Sequence, residues 1–524
     1  MTRESDRFYL NAAWLWIIGF SLFRFLYSGL FLLVPDETNY WQWSRHLAFG
    51  YHDQAPLIAW TTKLTTSILG QTETGVRLPS VLAIAVASGY LIVLAKRYMG
   101  DRAAWNTALL SQAILEFNLG GLLATPDGLQ AAAWAGASYH VARAYENDRL
   151  SQWLLGGLWF GIGMLSKYTM VIFLPGAFLY GIFSQSHRRR LARFRPYAGV
   201  LLGMLMFVPV IIWNAQNHWS SLHHVANLGG VNREFAIDLK FLGDFLASQA
   251  GLLSPLMFFL GLLAWYLALQ RPSRTEKWIY RFLFFTSFPM FATFTLLSFH
   301  TRVYGNWPAS GYLVVSVLIG AFFAERSKIF SPSRIVRWGQ GLWPWAVGCA
   351  YLFSVLVFIQ VVWPVFPIPA KWDRIAIETS GWKELGIKAA QTVNTLPNPE
   401  KTFLFGLQYQ IASELAFYTP GQPVTVSINR WNRPNVYDYW WKDEDLIGLD
   451  AVGVTDSPES HVFQLKQVFD QVDPPIRLDI FSKSVSVRKD GSYQPVKTFY
   501  IYRAYGFKGG LRWIPPERSD IRAY

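Results

Sequence analysis

The stretch LNAAWLWIIGFSLFRFLYSGLFLLVPDE, residues 10–37, decides the class of the fold. Its 25 mainly apolar residues before Pro35 exceed the roughly 20 that a helix needs to cross a bilayer. Two adjacent carboxylates, Asp36 and Glu37, follow at once. The run is too long for the apolar part of a signal peptide, and no small-residue cleavage pattern follows it. We therefore expect a retained membrane helix with two acids at its outer end.

Similar apolar runs recur through the first 363 residues. The whole chain of 524 residues is 15% charged, against about 25% in an average soluble domain. This composition predicts an α-helical polytopic membrane protein with about eleven or more spans. The apolar runs cover 10–34, 76–95, 103–118, 124–142, 152–165, 168–183, 197–213, 246–269, 282–299, 308–324 and 341–363.

Basic residues lie on alternate connections between these runs. With a cytoplasmic N-terminus, the inner segments carry 20 Lys and Arg, whereas the short outer links carry at most one each. The positive-inside rule therefore predicts a cytoplasmic N-terminus and, with an odd number of spans, an extracytoplasmic C-terminal domain. The clearest inner segment is SHRRRLARFR, residues 186–195. The inner segments are 1–9, 96–102, 143–151, 184–196, 270–281 and 325–340.

The positive charge belongs to the apolar part of the chain. Of the net charge of +13, residues 1–364 carry +12 and residues 365–524 carry +1. Basic tufts between apolar runs are typical of membrane loops, so we do not expect a nucleic-acid partner. The sequence has no Walker A motif, zinc-ligand spacing or nucleophile elbow, which argues against an ATP-driven pump.

The chain divides into two predicted domains. Residues 1–363 form the membrane domain, with longer external segments at 35–75 and 214–245, and residues 55–70 have the spacing of an interfacial helix. Residues 364–524 have the pattern of an α/β domain. Its predicted strands are 402–407, 423–428 and 445–454, its predicted helices are 409–418 and 457–469, and Asp490-Gly491 signals a hairpin.

Polar residues at the outer boundary are the candidates for function, because ionisable groups are costly in a membrane. For each candidate a plainer interpretation stays open. Asp36 and Glu37 could be solvated loop charges, and Asp127 could cap a helix. Lys167 could be a snorkelling lysine, or a point charge suited to a phosphate. Arg302 and Asn306 could belong to an interfacial belt.

A metal site is a weaker prediction. His52 and Asp53 share the first external segment with Asp36, so a divalent metal is conceivable. The sequence establishes no cofactor. The histidines at 218, 223 and 224 lie in another loop without fixed ligand spacing, which favours a plain surface role for them.

At these residues the chain resembles the GT-C glycosyltransferases of the dolichyl-phosphate-mannose protein mannosyltransferase and aminoarabinose lipid A transferase superfamily, in its bacterial branch. The similar stretches follow one another in order over most of the chain. They are Pro35-Asp36-Glu37 with Tyr40-Trp41 and Ser44, Tyr51 to Trp60, Thr125-Pro126-Asp127, Leu165 to Thr169, Trp213 to Gln216, Leu253-Ser254-Pro255, Asn306 to Ala309, and Ala412 to Tyr418.

The resemblance implies an inverting transferase that uses a polyprenyl-phosphate sugar at the outer face. Asp36 matches the position regarded as the catalytic aspartate, Glu37 its neighbour, and Asp127 the second acidic motif. Where the aminoarabinose transferases carry a lysine, Gln54 stands nearby, so their sugar is not implied. The catalytic candidates are Asp36, Glu37 and Asp127, and the substrate-binding candidates are Lys167, His52, Asp53, Tyr40, Arg302, Asn306 and Trp307.

The acceptor decides the role of Asp36. A hydroxyl acceptor needs a general base, whereas a lipid phosphate is already anionic and needs positioning or charge stabilisation instead. Three classes of acceptor stay open: a lipid such as lipid A, a polysaccharide, and a protein. The bacterial motifs favour a location in the inner membrane. The rival functions are a lipid-linked sugar transporter or flippase, for which we find no repeated halves, and a non-catalytic receptor.

Overall fold

Apolar runs and their flanking residues account for most helix boundaries in the computed structural model, which describes residues 3–232, 234, 236–270, 278–324, 334–481 and 494–513. Pro35, Pro126 and Pro255 each stand in the first turn of a helix, where a missing N–H costs nothing. The sequence therefore marks several helix starts through proline.

The helices before residue 363 are as follows. They are α1 (Arg3–Tyr27), α2 (Pro35–Arg45), α3 (Leu57–Leu69), α4 (Glu73–Met99), α5 (Asp101–Ala113), α6 (Leu115–Gly120), α7 (Pro126–Asn147), α8 (Leu150–Ser166), α9 (Phe173–Phe183), α10 (Phe194–Gln216), α11 (Ser220–Leu228), α12 (Leu239–Leu253), α13 (Pro255–Gln270), α14 (Trp278–Phe285), α15 (Phe288–Leu297), α16 (Ala309–Ala324) and α17 (Arg334–Val362).

The rest of the chain alternates helices and strands. They are α18 (Arg374–Thr379), α19 (Trp382–Val393), β1 (Thr402–Gly406), α20 (Tyr409–Tyr418), β2 (Thr425–Ser427), β3 (Asp450–Thr455), α21 (Pro458–Val468), β4 (Phe469–Val472), β5 (Ile476–Ile480) and β6 (Lys497–Phe507).

These elements form two compact units that are discontinuous in sequence. Unit 1 comprises Met1–Ser28, Gln54–Thr61 and Arg77–Leu356. Unit 2 comprises Gly29–Asp53, Thr62–Val76 and Val357–Tyr524. The predicted domains 1–363 and 364–524 stay a prediction, since the units follow three-dimensional contacts rather than chain order.

Unit 1 is a bundle of apolar helices. By length and composition, five helical stretches in the described residues could cross a membrane. They are Arg7–Tyr27, Glu73–Met99, Phe194–Gln216, Trp278–Leu297 and Val336–Val362. Shorter apolar helices such as α16 pack among them, and α5 lies between α1 and α16. The prediction of a mostly helical membrane protein is therefore confirmed.

The sequence predicted one continuous helix over 246–269, and this prediction is wrong. The structure has α12 and α13 instead, which meet at 101° around Ser254. Ser254 has a φ of +70°, and Pro255 has no N–H with which to continue the hydrogen bonds of α12. Proline also disfavours helical geometry in the residue before it. Length and hydropathy alone missed this break.

Predicted inner connections of unit 1 lie together at one end of the bundle. Arg97 in the last turn of α4 donates to Glu146 at the end of α7, at 2.9 Å. Asp148, which follows α7, accepts from Arg195 at the start of α10 at 2.8 Å. The His187 ring lies 4.8 Å from Trp278, which begins α14. Four segments assigned to the same face from their charges are thus neighbours.

Unit 2 contains a mixed sheet with strand order β2-β1-β3-β6-β4, and β5 pairs with β6. β1 is parallel to β2 and β3, whereas β6 is antiparallel to β3, β4 and β5. α20 connects β1 to β2 and packs against α2 from the segment that follows α1, with the Trp41 ring 4.9 Å from Phe417. The predicted α/β tail therefore includes residues far upstream.

Most predicted elements of the tail are confirmed. Strands occur within 402–407 and 423–428, and a helix covers 409–418. The strand predicted at 445–454 begins at Asp450, because residues 443–445 form a 3-10 turn. Ser457 directly precedes α21, and its side chain makes no capping hydrogen bond. Asp490-Gly491 lies outside the described residues, although β5 and β6 pair in the antiparallel manner of a hairpin.

Glycine packing of α8 against α10 should be sensitive to a single methyl group. A Cβ at Gly157 would overlap the carbonyl oxygen of Gly199, and backbone cannot move aside as a flexible side chain can. We expect Gly157→Ala to destabilise the protein by roughly 1–3 kcal/mol, the usual range for overpacking. Thermal unfolding in detergent measures this effect. The control is Gly19→Ala in α1, where the new methyl group meets open space; an equal loss in both variants would contradict the packing argument.

Candidate functional site

The candidate residues divide between the two units, and the first group lies in unit 1. Thr125 precedes α7, Pro126 is its first residue and Asp127 its second. The positive end of the helix dipole favours a carboxylate there. The Thr125 side chain makes no capping hydrogen bond, so the local sequence leaves Asp127 as the polar group at this helix end.

Lys167 ends α8 and pairs with Asp127. Its backbone is extended, with φ of −151°, and its Nζ lies 2.7 Å from Asp127 Oδ1. Lys167 is 6% exposed, so the ammonium does not reach out to water as a snorkelling lysine would. Among the described residues, Asp127 is the acceptor that this ammonium contacts. Two of its three N–H groups therefore remain for a ligand such as a phosphate.

Side chains from three further elements brace this pair. Asn306 Nδ2 donates to Asp127 Oδ2 at 3.3 Å. Gln130 is fully buried, donates to Thr169 Oγ1 at 2.8 Å and accepts from Ser310 Oγ at 2.9 Å. These contacts connect α7, the turn after Lys167 and the start of α16. We call Asp127, Gln130, Lys167, Asn306 and Ser310 the Asp127 cluster.

Sequence reasoning missed two polar residues of this group. Gln130 lies three residues after Asp127, on the same face of α7, and that spacing could have found it. Glu116 is 7% exposed and close enough to Asp127 and Lys167 to interact electrostatically. Its signal was a carboxyl group inside an apolar run, the kind of residue that is costly unless it has a function.

Two unit 1 candidates are not brought into the cluster. The exposed Arg302 guanidinium lies 5.5 Å from the centre of the Tyr304 ring. The Trp307 ring packs against Phe294 at 5.5 Å and Tyr304 at 5.7 Å. In the described part of the chain these contacts are those of an aromatic belt, and none joins Arg302 or Trp307 to Asp127.

The second group lies in unit 2, where α2 presents its two acids differently. Glu37 is fully buried, and its Oε2 accepts from the Val34 N–H at 3.0 Å, which is the glutamate half of a capping box, because Val34 has no side-chain acceptor for the other half. Asp36, one residue earlier, is exposed. Glu37 is therefore no solvated loop charge, and its described hydrogen bond holds the backbone that presents Asp36.

The Asp36 carboxyl keeps contact with water although protein crowds it. Its pKa is raised to about 6, first by desolvation and then by the negative charges of Glu378 and Asp53, while Arg433 opposes the shift. Proton uptake by a carboxyl group with such a pKa occurs near neutral pH, which suits general acid–base chemistry. We call Asp36, Glu37, Asp53, Glu378 and Arg433 the Asp36 cluster.

Arg433 is the cation of this cluster, and sequence reasoning missed it. Its Nη1 donates to Asp53 Oδ1 at 2.7 Å, and its guanidinium lies 4.7 Å from the centre of the Tyr409 ring. Asp53 raises the pKa of Arg433 further, although burial opposes this. No local motif marks Arg433, because its partner lies 380 positions earlier in the chain.

A buried polar network fixes the loop that carries Arg433. Asn435 Nδ2 donates to Asn429 Oδ1 at 2.6 Å, and Asn429 Nδ2 donates to Asp438 Oδ1 at 3.1 Å. Both asparagines are fully buried. Because satisfied polar networks resist rearrangement, they hold the arginine in position before any ligand arrives.

The remaining unit 2 candidates are buried or half-buried. The Tyr40 ring packs edge-on against Trp43 at 4.9 Å. His52 is 6% exposed, and its ring lies 6.3 Å from that of Tyr439. These contacts are compatible with binding a substrate, although none of them requires it.

A buried acid in the stretch Ala412 to Tyr418 was also overlooked. Glu414 is 1% exposed, and burial raises its pKa well above the ordinary value, while Lys497 opposes this. Lys497 lies 3.4 Å from the centre of the Trp382 ring and donates to the Ile377 carbonyl at 2.8 Å. Burial lowers the pKa of Lys497 to about 8. The signal for Glu414 was a lone acid on an apolar helix.

Comparison with known proteins adds relatives by sequence. The family model of the dolichyl-phosphate-mannose-protein mannosyltransferases matches residues 53–213. The lipid A galacturonosyltransferase RgtD of Rhizobium johnstonii is 25% identical over 305 residues, 58% of this chain and 63% of that protein. The undecaprenyl phosphate-alpha-4-amino-4-deoxy-L-arabinose arabinosyl transferase of Pseudomonas aeruginosa is 30% identical over 183 residues, 30% of this chain and 32% of that protein. The chain thus spans less than two thirds of either relative.

Solved structures extend the likeness over nearly the whole chain. ArnT of Cupriavidus metallidurans, solved alone and bound to undecaprenyl phosphate, has a TM-score of 0.60 at 14% identity, covering 93% of this chain and 97% of that one. The archaeal oligosaccharyltransferase AglB of Archaeoglobus fulgidus has a TM-score of 0.51 at 12% identity, covering 92% and 74%. At such identities the likeness shows the fold alone.

The pair of Lys167 and Asp127 should behave as a buried ion pair in stability measurements. Lys167→Met leaves a poorly solvated carboxylate, and we expect a loss of about 3 kcal/mol, the lower end of the roughly 3–5 kcal/mol range, because the α7 dipole and Asn306 still face Asp127. Adding Asp127→Asn removes the unpaired charge and should restore most of the loss. Thermal unfolding of the single and double variants tests this.

The control for this cycle is Arg477→Met, which breaks an exposed pair with Asp479 and should leave the melting temperature unchanged. A double variant as unstable as Lys167→Met alone would show that packing, not charge pairing, explains the loss.

Asp36 should destabilise the fold when it is ionised. Because its pKa is higher in the folded protein than the ordinary 3.8, the folded state binds more protons between about pH 4 and pH 6, and stability falls as pH rises through that window. We therefore expect Asp36→Asn to raise the melting temperature more at pH 7.5 than at pH 5. A gain independent of pH, or a loss at pH 7.5, would contradict the raised pKa.

Proposed function

Because the resemblance to the bacterial branch of the GT-C membrane glycosyltransferases is confirmed, we propose that this chain is an inverting glycosyltransferase. It moves a sugar from a polyprenyl-phosphate donor to an acceptor outside the cytoplasm. The observation that carries the proposal is Asp36, an accessible carboxyl with its pKa raised to about 6, at the start of a helix whose first turn Glu37 ties to the Val34 N–H. The named transferases among the relatives support the same class of reaction.

The proposed reaction is a single displacement at the anomeric carbon. The acceptor oxygen forms a bond to that carbon from the face opposite the phosphate, and the carbon–oxygen bond to the phosphate breaks. Polyprenyl phosphate leaves with the electron pair. Inversion follows from this geometry, and the positive charge that develops on the sugar ring favours nearby carboxylates.

Lys167 is the residue that we propose for the donor phosphate. Its ammonium is buried beside Asp127 and retains two donors, so it can stabilise the negative charge of the leaving group without an ordering cost. Asp127 and Asn306 position Lys167. The structure of ArnT bound to undecaprenyl phosphate supports a donor of this class.

Asp36 acts according to the acceptor. With a hydroxyl acceptor it takes the proton as the new bond forms, and Glu37 supports the backbone beneath it. With a lipid phosphate it stabilises the developing positive charge instead. Asp53, His52 and Tyr40 then contribute contacts to sugar or acceptor, and Arg302 and Trp307 contact the substrate near the membrane surface.

The proposed topology has eleven crossings, with the N-terminus in the cytoplasm of a bacterium and residues 364–524 in the periplasm. The meeting of Arg97, Asp148, His187 and Trp278 at one end of unit 1 supports it, since all lie in or beside segments predicted to be inner. The acceptors of the named relatives support lipid A or the lipopolysaccharide core as the acceptor class.

A comparison of membranes tests the function. We expect lipid A, polysaccharide or glycoprotein from a deletion strain to lack one sugar-sized mass that returns with the wild-type gene, as measured by mass spectrometry. Asp36→Asn and Asp127→Asn should fail to restore it. Asp470→Asn, at a mostly exposed acid of unit 2, is the matched control and should restore it. A well-expressed Asp36→Asn that restores the mass would overturn the site and favour the transporter.

The pH dependence of transfer distinguishes the two roles of Asp36. With a hydroxyl acceptor, the rate should rise through about pH 6 to a plateau as Asp36 ionises, and Asp36→Asn should lose roughly 10²–10⁴-fold. With a phosphate acceptor, the loss should be smaller and the rise through pH 6 weaker. Initial rates in purified membranes from pH 5 to pH 8 measure both, with Asp470→Asn as the control.

A further inference from the structure

A cavity of about 240 Å³ opens in unit 1 where α9 and α13 end and α14 begins. Tyr180, Phe183, Trp278 and Phe285 give it aromatic walls, and Leu269 completes the apolar side. Ser184 and Arg281 are the non-aromatic polar residues of its described lining, and Tyr180 adds a hydroxyl. None of the residues named in the Asp127 cluster lines it, so it is separate from the candidate site in this unit.

Arg281 brings a poorly satisfied cation to this cavity. Its Nε is buried and has no hydrogen-bond partner among the described residues. Its Nη2 donates weakly to the Leu269 carbonyl at 3.3 Å, and no described carboxylate pairs with it. A buried N–H without an acceptor is costly, so an anionic ligand at this position would remove a penalty that the protein otherwise carries.

The surrounding charge favours an anion as well. Among the residues that the structure describes in the cavity lining, none is acidic. Arg190 and Arg281 both lie close enough to the Tyr180 hydroxyl to interact with it electrostatically. The neighbouring 3-10 turn Arg188–Ala192 adds the exposed Arg188 and Arg189. Basic pockets between membrane helices next to polybasic segments are typical binding sites for lipid headgroups.

Size and surface decide what kind of anion fits. Pockets that enclose a complete small ligand usually measure about 300–1,000 Å³, so this cavity accommodates only part of a larger molecule. At its rim Phe183 is 64% exposed and Leu269 is 43% exposed. These apolar side chains stand at the ends of apolar helices, where acyl chains of a membrane lipid would lie.

We propose that this cavity binds the headgroup phosphate of an anionic glycerophospholipid of the cytoplasmic leaflet, with Arg281 as the main contact. Arg281 donates from Nε to the phosphate, the aromatic walls pack against the glycerol region, and the acyl chains extend past Phe183 and Leu269. This site is independent of the proposed transfer reaction, because it uses no residue assigned to donor, acceptor or catalysis.

Lipid retention tests the proposal. The full-length protein is purified in detergent, incubated with phosphatidylglycerol or with phosphatidylcholine, and examined by native mass spectrometry. We expect the wild type to retain phosphatidylglycerol preferentially. Arg281→Gln should reduce this retention at least tenfold, whereas Arg189→Gln, which removes an exposed cation of the same basic segment, should leave it within twofold.

A second variant protects the test against misfolding. Leu269→Trp fills the cavity from its exposed rim while keeping Arg281, and it should also reduce retention at least tenfold. Equal losses in Arg281→Gln and Arg189→Gln would mean only general attraction to basic residues and would overturn the site. Displacement of phosphatidylglycerol by millimolar inorganic phosphate would overturn the lipid and indicate a free phosphate site. Unchanged retention in both cavity variants would overturn the proposal altogether.

Discussion

A charge removed from bulk water must meet an opposite charge or several hydrogen-bond partners, and this constraint shapes both units. In unit 1 it holds Lys167 against Asp127 and so fixes the end of α8 relative to the start of α7. In unit 2 it holds Arg433 against Asp53 and so ties the segment between α2 and α3 to the C-terminal part of the chain. Asp36 is the exception, since the acids around it outnumber the single arginine. A carboxyl group with a raised pKa can accept and release a proton near neutral pH, which is why we propose Asp36 as the catalytic group.

Hydropathy was sufficient for the general architecture, a mostly helical chain with several long apolar helices, because the hydropathy of a helix is a property local in sequence. It failed where a local backbone preference overrides composition. Ser254 and Pro255 break an apolar run that is otherwise uniform, and the 3-10 turn at 443–445 delays β3 to Asp450. Strand and helix patterns in the tail were accurate because β1 and α20 are short apolar runs that are buried along almost their whole length.

Candidate site residues could be identified from the sequence wherever an ionisable group stood in or beside an apolar run, because such a group is costly in a membrane. Asp127 and Lys167 stood out as ions beside apolar runs, and their contact follows from the assignment of both to one face. Arg433 could not be found in this way, because arginines are common in a polar tail and its partner is distant in sequence. Glu37 is a catalytic candidate of the sequence analysis, and its hydrogen bond to Val34 gives it a structural task that the motif alone does not reveal.

Because unit 2 is discontinuous in sequence, it cannot fold completely while the chain is still being synthesised. Residues 29–53 belong to a unit whose other major part begins only at Val357, about 300 residues later. At roughly 5–20 residues per second, synthesis leaves this segment waiting for about 15–60 s. During that time Trp41 and Trp43, fully buried at the end, have no α20 or β-sheet to cover them. The packing of Trp41 against α20 can therefore form only after the last third of the chain has been synthesised.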